Sequence, residues 1–570
     1  MSKYKRLFID KISEDFDQKK DLVLGPWCLD KFYSLNEIKK LGESEVYLEN
    51  KSIDHTKAFK CCEIQHKKLI NKISSYVGKI NKNQFSAEFY SNYVSTWFTS
   101  FVHLIHYSER IIELYIKKYE KEEIEIILYN KPEKIYFKNS QDFVLKCVNR
   151  QDFFSNFVLF LLLKKKPQKW KQTYLNNNNL KNNTDINKNI IKGIYFKIIK
   201  LTSNILAPRI KSVYGFNIFE IFFLSLLLFF KKKIKFENKS INYYSKIKET
   251  ETYETPPISN DDIIKLAKEL LPDSYKNIYK RKKYFFNTFG KIILCSGPSL
   301  LYDDSDRFDL LLFKEKKGNI YSVQHGGNYG ELFLQRGSIE LAVDKFISWG
   351  QKKHENYNIN FKSLPSPQLK KNYNKNYSKN ILFVSTAHFY CYPRYVSCQS
   401  FQDSVDRIND TVSFLYELND DVIKRIKYKT HISQISEKNI LNVKFKNLNF
   451  LENSPEKEIN NSKIIILNHY STILFKSLAA NVPTIFFCRK NCWKLTKKAT
   501  EIFDILNKAG ILFYDSKLAA KGLSKYLENT EEWWMSREVQ NARKEFCDEF
   551  AVKKDNYLSI WAKYLWQTKG

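Results

Sequence analysis

Beyond residue 290, short and almost wholly apolar runs alternate with longer stretches of helical periodicity. A run that is apolar at successive positions predicts a strand buried on both faces. Strands that alternate with helices predict βαβ units, and therefore a parallel sheet. Seven such runs occur, at residues 292–294, 320–323, 346–349, 381–384, 464–467, 484–487 and 511–514.

The preceding part of the chain shows fewer strand signals and a stronger helical pattern. Residues 21–25 predict a short buried strand that ends in a glycine turn. Over residues 85–120, large apolar side chains recur every four positions, at Phe89, Tyr93, Trp97, Phe101 and Ile105. This spacing predicts a long helix with one apolar face. Residues 171–190 are polar and rich in Asn, which predicts an exposed loop.

A chain of 570 residues is long enough for two large α/β domains, or for three smaller ones. The best linker candidate begins at Pro365-Ser366-Pro367 and runs to residue 379. We therefore predict an N-terminal α/β domain over residues 1–375, with helical insertions at about 85–280. A C-terminal α/β domain is predicted over 376–530, and the aromatic, helical residues 531–570 are expected to pack back on the N-terminal half.

Two apolar stretches precede lysine runs. Residues 157–163 are followed by Lys164-Lys165-Lys166, and residues 218–230 by Lys231-Lys232-Lys233. Both are shorter than the roughly 20 residues that a membrane-spanning helix needs. Buried helices are the first interpretation, and a surface helix that touches anionic lipid is the second.

The formal net charge is +32, and such a surplus attracts nucleic acid, anionic lipid or phosphorylated substrates. Drift towards Lys and Asn in an AT-rich genome is the first interpretation, and functional selection of the charge is the second. No RNA-binding aromatic motif, zinc-finger spacing or basic zipper is present, which disfavours nucleic acid as a partner. Ten cysteines without a C-x-x-C pair, and a first segment without an apolar signal-peptide core, predict reduced thiols and a cytoplasmic location.

The strongest candidate site directly follows the strand predicted at 320–323. It comprises Gln324, His325, Gly326, Gly327, Asn328, Tyr329 and Glu331. Ligands of open α/β sheets lie at the carboxyl ends of strands, and paired glycines allow close approach of the backbone to an anion. His325 is predicted to move a proton, and Glu331 to orient it or act as a base. The alternative is a glycine turn with an incidental histidine.

Two further polar clusters also follow predicted strands. In the first, Asn468, His469, Ser471 and Thr472 precede a helix that contains Lys476, and the helix N-terminus offers an anion site. In the second, Lys429 and His431 lie on one face of a strand with Arg425 and Lys427. These side chains are predicted to bind a phosphate, although an ordinary strand–turn–helix and a solvated edge strand are the respective alternatives.

Histidines 103 and 106 share a helix face, but no carboxylate stands at metal-ligand spacing, so core or surface roles are favoured. Neither a P-loop nor a G-x-G-x-x-G motif appears, which disfavours an NTPase and a dinucleotide-dependent dehydrogenase. No metal or cofactor is expected.

The chain resembles a family of bacterial transferases encoded with surface-polysaccharide genes. The resemblance is carried by residues 24–29, the helix from Trp97 to Arg110, and residues 322–331, 348–350, 470–472 and 478–484. That family is distantly similar to capsule Kdo transferases and polyglycerol-phosphate transferases. The resemblance implies a GT-B-like α/β fold, in which two Rossmann-type domains face each other across a cleft.

By the same resemblance, His325 would lie in the interdomain cleft, and Ser471 and Thr472 would hold donor phosphate. Members of the family usually carry an acidic residue at the position of Lys476. A carboxylate there would bind a ribose hydroxyl, whereas Lys476 would favour phosphate or carboxylate. The strand that holds Lys429 and His431 also departs from the family pattern.

These observations lead to the hypothesis of a glycosyltransferase that uses a nucleotide-activated donor, such as a CMP-linked acidic sugar. The acceptor would be a surface glycan or a lipid-linked molecule, and the basic surface would make peripheral contact with the anionic inner face of the cell membrane. Transfer of a polyol phosphate, as in teichoic-acid-type synthesis, is one alternative. A catalytically silent scaffold of a polysaccharide complex is the other.

Overall fold

The computed structural model shows an α/β protein built on parallel sheets. It describes residues 4–48, 54–129, 135–147, 151–175, 210–211, 213–230, 244, 258–278, 292–297, 303–334, 343–369, 380–391, 395, 400–431, 433–490 and 492–568.

The first sheet has four parallel strands in the order β2-β1-β3-β4. The strands are β1 (Lys5–Phe8), β2 (Leu22–Val23), β3 (Ile124–Leu128) and β4 (Lys171–Tyr174). Five helices accompany this sheet: α1 (Leu35–Glu43), α2 (His55–Ile80), α3 (Ala87–Tyr119), α4 (Ser140–Cys147) and α5 (Gln151–Lys165). The long helices α2 and α3 pack against each other, and α3 confirms the helix predicted over residues 85–120.

The second sheet has five parallel strands in sequential order. They are β5 (Ile210–Lys211), β6 (Ile292–Ser296), β7 (Asn319–Val323), β8 (Lys345–Ser348) and β9 (Phe361–Ser363). The helices in this part of the chain are α6 (Ile218–Phe230), α7 (Asn260–Glu269) and α8 (Asp304–Glu315). Every residue of β6 and β7 is buried, as continuous apolar strands in a doubly covered sheet should be.

The third sheet has six parallel strands in the order β12-β11-β10-β13-β14-β15. They are β10 (Ile381–Val384), β11 (Ile426–Lys429), β12 (Asn449–Phe450), β13 (Ile464–Leu467), β14 (Thr484–Phe487) and β15 (Leu512–Phe513). Counted within the sheet, this is the order 3-2-1-4-5-6 of doubly wound nucleotide-binding sheets. The direction of winding therefore changes between β10 and β13, which are hydrogen-bonded neighbours.

Nine helices follow β10 in the described residues. They are α9 (Phe401–Tyr416), α10 (Asp420–Lys424), α11 (Glu437–Lys444), α12 (Thr472–Ala479), α13 (Lys497–Lys508), α14 (Ser516–Glu528), α15 (Thr530–Met535), α16 (Arg537–Phe550) and α17 (Tyr557–Gln567). Helix α16 packs on α12 and α13, beside the third sheet. Helix α17 instead returns to the second sheet, where Trp561 and Leu565 pack with Ile292 and Val323.

The two Rossmann-type domains predicted from the sequence would carry one parallel sheet each, whereas the described residues form three parallel sheets. In the first sheet only β2 was predicted, as the strand at residues 21–25. The other strands were not predicted because they are short, and because α1, α2 and α3 separate β2 from β3, which hides the regular strand–helix alternation. In the described residues, no helix combines the length and the apolar character required to cross a bilayer. The nine described cysteines are all free thiols.

Candidate functional site

A buried polar network joins the carboxyl ends of β10, β11 and β13. Asn468, directly after β13, donates through Nδ2 to Ser385 Oγ and to Thr411 Oγ1, each at 2.9 Å. Ser385 Oγ donates in turn to Glu437 Oε1 at 3.0 Å, and the Tyr428 hydroxyl donates to the same oxygen at 2.9 Å. The network therefore fixes the edge of the sheet where the winding changes direction, which is where open α/β sheets bind ligands.

Two buried histidines border this network. His469 Nδ1 lies 3.2 Å from Asn468 Oδ1, and His388 Nε2 lies 3.3 Å from Glu437 Oε1. Burial lowers the pKa of His469 well below its usual value, and the positive charges of Arg407, His388 and His431 lower it further. His469 is therefore neutral at physiological pH and offers a hydrogen-bonding ring rather than a charge.

Arg407 on α9 is a buried cation beside the same network. Its side chain is 7% exposed, and its Nη1 has no hydrogen-bond partner. It lines a small cavity of about 30 Å³ together with Asp403, Asp406, Asn468, Cys492 and Trp493. Burial lowers the pKa of the guanidinium from its usual value, because a buried charge is poorly solvated, and the nearby Asp403 and Glu437 partly oppose the fall. An anionic group in the cavity would supply the missing partner.

The sequence analysis missed Arg407, His388 and Glu437. His388 lies four residues after β10, so the rule that selected His325 and Asn468, a polar residue after a buried strand, could have found it. Arg407 and Glu437 lie on helices, and their spacing in the sequence carries no sign of the cavity or the network.

The segment after β7 begins with Gln324, whose amide is used within the protein. Its Nε2 donates to Gly326 O at 2.7 Å, and its Oε1 accepts from the Trp349 backbone N at 2.8 Å. Gln324 therefore holds the glycine turn against the end of β8. The prediction that it binds substrate gives way to a positioning role, because both ends of its amide are engaged.

His325 is half-buried, and its Nδ1 lies 2.7 Å from the Tyr329 hydroxyl. Its carbonyl oxygen accepts from Gln368 Nε2 at 3.0 Å. Asn328, between these rings in the sequence, has a φ of 80°, a left-handed conformation that asparagine tolerates better than most residues. The turn thus places Tyr329 on the histidine ring and fixes its orientation.

The two glycines allow the turn to pack against the N-terminus of α12. Gly327 N donates to Thr472 Oγ1 at 3.1 Å, and a Cβ on Gly326 would lie 2.7 Å from the same oxygen. A Cβ on Gly327 would lie 2.4 Å from Phe475 Cε2. The prediction that these glycines open the backbone to a ligand is corrected for Gly327, because its N–H is already bonded to the other half of the protein.

Glu331 is buried at this same contact, whereas the partner of His325 Nδ1 is the Tyr329 hydroxyl. Glu331 is 1% exposed, and its Oε2 accepts from Gly330 N at 3.0 Å. Burial raises the pKa of its carboxyl to about 7, although Gly330 N and the Tyr470 hydroxyl partly oppose the rise. Its backbone O accepts from Thr496 N at 2.8 Å, so Glu331 belongs to the contact between the second and third sheets.

The N-terminus of α12 holds Ser471 and Thr472. Ser471 is the N-cap, yet its hydroxyl caps no backbone N–H and has no hydrogen-bond partner. Lys476, predicted to bind phosphate, forms an ion pair with Glu456. Its charge is therefore compensated within the protein, and Glu456 brings a carboxylate to the position where the resembling family has an acidic residue.

Lys429 at the end of β11 bonds to the chain that follows β12. Its Nζ donates to the backbone oxygens of Leu451 and Glu452, at 3.1 and 2.9 Å. Binding of a donor phosphate by Lys429 stays a prediction. His431 is exposed, and its charge acts on His469.

The structure thus brings the turn after His325 against Thr472, and Asn468 and His469 beside Arg407. Within the described ranges, no group of three His, Cys, Asp or Glu side chains is arranged to hold a metal ion.

Comparison with known proteins gives one extensive match. The model of the LIC12162 family of transferases matches residues 5–565. No curated protein matches the chain significantly.

Three solved structures show limited likeness. Staphylococcus aureus MnaA with UDP is 11% identical and covers 49% of this chain and 76% of its own, with a TM-score of 0.30. A trehalose-6-phosphate synthase from Burkholderia multivorans is 10% identical and covers 48% and 68%, with a TM-score of 0.26. The O-GlcNAc transferase of Thermobaculum terrenum is 10% identical and covers 90% and 99%, with a TM-score of 0.27.

Likenesses this low carry no argument about function, whereas the family match extends over nearly the whole chain. The chain belongs to the LIC12162 family of transferases.

Proposed function

We propose that this transferase moves a glycosyl group from a nucleotide-activated donor to a surface glycan or a lipid-linked acceptor. The observation that carries the proposal is the unpaired, buried Arg407 beside the polar network at the β10–β13 edge. A sheet of this strand order binds nucleotides at that edge. The donor phosphate would lie at Arg407. The unpartnered hydroxyl of Ser471 and the N-terminus of α12, which closely follow Asn468 in the sequence, would also bind it.

In the proposed reaction, the acceptor hydroxyl attacks the anomeric carbon of the donor. The bond between that carbon and the phosphate oxygen breaks, and its electron pair leaves with the nucleotide. Arg407 neutralises the charge that develops on the phosphate. Because Tyr329 holds Nδ1 of His325, Nε2 is the nitrogen proposed to take the proton of the acceptor hydroxyl.

A donor panel tests the proposal. Purified protein is incubated with CMP-sugars, UDP-sugars and CDP-polyols, and nucleotide release and donor affinity are measured separately. A sugar donor should be consumed. His325→Ala should lower kcat by about 10²- to 10⁴-fold and leave the donor Kd nearly unchanged, as expected for loss of a general base.

Arg407→Gln should raise the donor Kd by at least tenfold, because it removes the charge opposite the phosphate. Arg537→Gln, on the exposed start of α16, is the matched control and should change neither quantity. Consumption of a CDP-polyol alone would replace the proposal with polyol-phosphate transfer. Nucleotide binding without turnover, unaffected by His325→Ala, would support a silent scaffold.

A further inference from the structure

Helix α6 exposes an apolar surface that an ordinary surface helix does not have. Leu224 and Leu228 are fully buried and pack with the second sheet and α17. The outward side is also apolar, and its exposed side chains are Ile218 (64%), Phe219 (81%), Phe222 (48%), Phe223 (46%), Leu226 (44%) and Phe230 (66%). A helix on a protein surface normally presents polar side chains to water, so this side, the α6 apolar stripe, is suited to a non-aqueous neighbour.

The one charged residue within α6 serves the helix end. Asn217 N donates to Glu220 Oε2 at 2.7 Å, and Glu220 N donates to Asn217 Oδ1 at 2.9 Å. The Tyr557 hydroxyl of α17 also bonds to Glu220. The carboxylate is therefore held at the helix N-terminus, where a negative charge is stabilised, and it interrupts the stripe only at that end.

Positive charge adjoins the stripe in the sequence. Lys231, Lys232 and Lys233 directly follow the last residue of α6, and the whole chain carries a formal charge of +32. A short apolar helix surface combined with lysines is the pattern that binds the interface of an anionic bilayer. We propose that α6 lies in the plane of an anionic lipid surface and inserts its phenylalanine side chains between the headgroups.

A second copy of the chain fits the stripe less well. Thirteen residues of helix extend roughly 20 Å, and one side about 10 Å wide offers an area on the order of 200 Å². Stable interfaces bury about 800 Å² on each partner. A bilayer needs no such area, because electrostatic attraction to its headgroups adds to the insertion of apolar side chains.

This inference deepens the proposed function, in that the membrane contact would bring the enzyme to a lipid-linked acceptor. Vesicle binding and donor binding are separate measurements, so each can fail alone. If the wild type binds the donor but does not bind vesicles, the role of α6 is contradicted and the transfer chemistry still stands.

The test is co-sedimentation of the full chain with vesicles of equal parts phosphatidylglycerol and phosphatidylcholine, and with vesicles of phosphatidylcholine alone. The wild type should bind the anionic vesicles, less at high salt, and should bind the neutral ones at least tenfold more weakly. Phe219→Ser combined with Phe223→Ser should reduce binding to anionic vesicles at least tenfold, with an unchanged Tm.

The matched control combines Val443→Ser and Leu518→Ser, which are 80% and 57% exposed and lie on α11 and α14. It should bind vesicles like the wild type. Three results would overturn the proposal: no binding by the wild type, equal binding by the α6 variant, or a stable dimer that the α6 substitutions dissociate.

Discussion

Glu331 shows how burial alone changes the acid–base behaviour of a side chain. Its carboxyl is 1% exposed, and loss of hydration raises its pKa to about 7 against the opposing effects of Gly330 N and Tyr470. A carboxyl that stays protonated near neutral pH donates a hydrogen bond instead of only accepting them. Glu331 lies where the segment after β7 contacts the residue that precedes α13, so the protonation of its carboxyl affects that contact.

We predict that the protein loses stability as the pH rises from about 4.5 to 7. In this window the unfolded chain releases the proton of Glu331 while the folded protein retains it, so ionisation favours unfolding. The full effect is about 3 kcal/mol above pH 7. The Tm is measured at pH 5 and at pH 8. Between these two pH values, the Tm of Glu331→Gln should fall by several degrees less than the Tm of the wild type. Equal falls would contradict the pKa assigned to this residue.

At the scale of single residues, the positions of polar side chains could be predicted from the sequence better than their roles. His325, Asn468 and His469 were predicted correctly to follow buried strands, because the position after a strand is visible in the sequence. The partners were not visible. Lys476 meets Glu456, twenty residues away, and Gln324 meets Trp349, twenty-five residues away. Arg407 gave no local signal, since its significance comes from the cavity around it.

The contact between the glycine turn and α12 depends on the absence of two side chains. Gly327 lies against the Phe475 ring and donates its N–H to Thr472. The close approach of the turn backbone to α12 results from the two elements together, and the sequence of either element alone does not indicate it. It also explains why glycine pairs predicted for ligand approach can serve packing instead.

We predict that Gly327→Ala destabilises the protein by about 1–3 kcal/mol, because the added methyl group would lie 2.4 Å from Phe475 Cε2. Thermal unfolding measures the loss, and donor affinity should fall with it. The double substitution with Phe475→Leu should recover part of the stability, since the smaller side chain removes the contact. Failure of any recovery would argue against this clash as the cause.

Helix α17 is the second element whose position decides its role. Trp561 is 1% exposed, and its Nε1 donates to Pro365 O at 2.8 Å. We predict that Trp561→Ala lowers the free energy of unfolding by about 3–5 kcal/mol. Trp566→Ala on the same helix, where the side chain is 58% exposed, should cost much less. Equal losses would show that helix propensity, rather than burial, sets the effect.

Among the elements, β6, β10, β13 and β14 could be predicted because each is mainly apolar and buried along its whole length. The same rule explains the missed sheet. Strand β4 has the burial pattern of an edge strand, mostly exposed, whereas the buried β2 lies within the strand predicted at residues 21–25. Helix α6 also departs from the expected buried helix, because only one of its sides faces the protein.

At the scale of the molecule, residues near different sheets pack into one hydrophobic core. The core around the first sheet includes Ile264 of α7 and Leu311 of α8, and it extends to Tyr390, Phe401 and Ile408 near the third sheet. His106 Nδ1 lies 2.8 Å from the Tyr395 hydroxyl across the same boundary. The first sheet is therefore part of one folded assembly rather than an independent appendage.

We predict that a chain lacking residues 1–175 aggregates or binds a hydrophobic dye strongly, although it retains every residue of the candidate site. Deletion of residues 1–175 would expose Phe401, Val405 and Ile408, which are buried in the shared core. Size-exclusion chromatography and dye fluorescence measure the outcome. A monomeric, cooperatively unfolding product would show that the shared core is dispensable.

The return of the chain from α16 to α17 has a mechanical consequence. Val552 N donates to Trp349 O at 2.6 Å, and Ser366 N donates to Val552 O at 3.0 Å, so the returning segment runs beside the one that follows β9. Any opening between the second and third sheets would therefore have to bend both segments together and break the hydrogen bond from Gly327 N to Thr472 Oγ1.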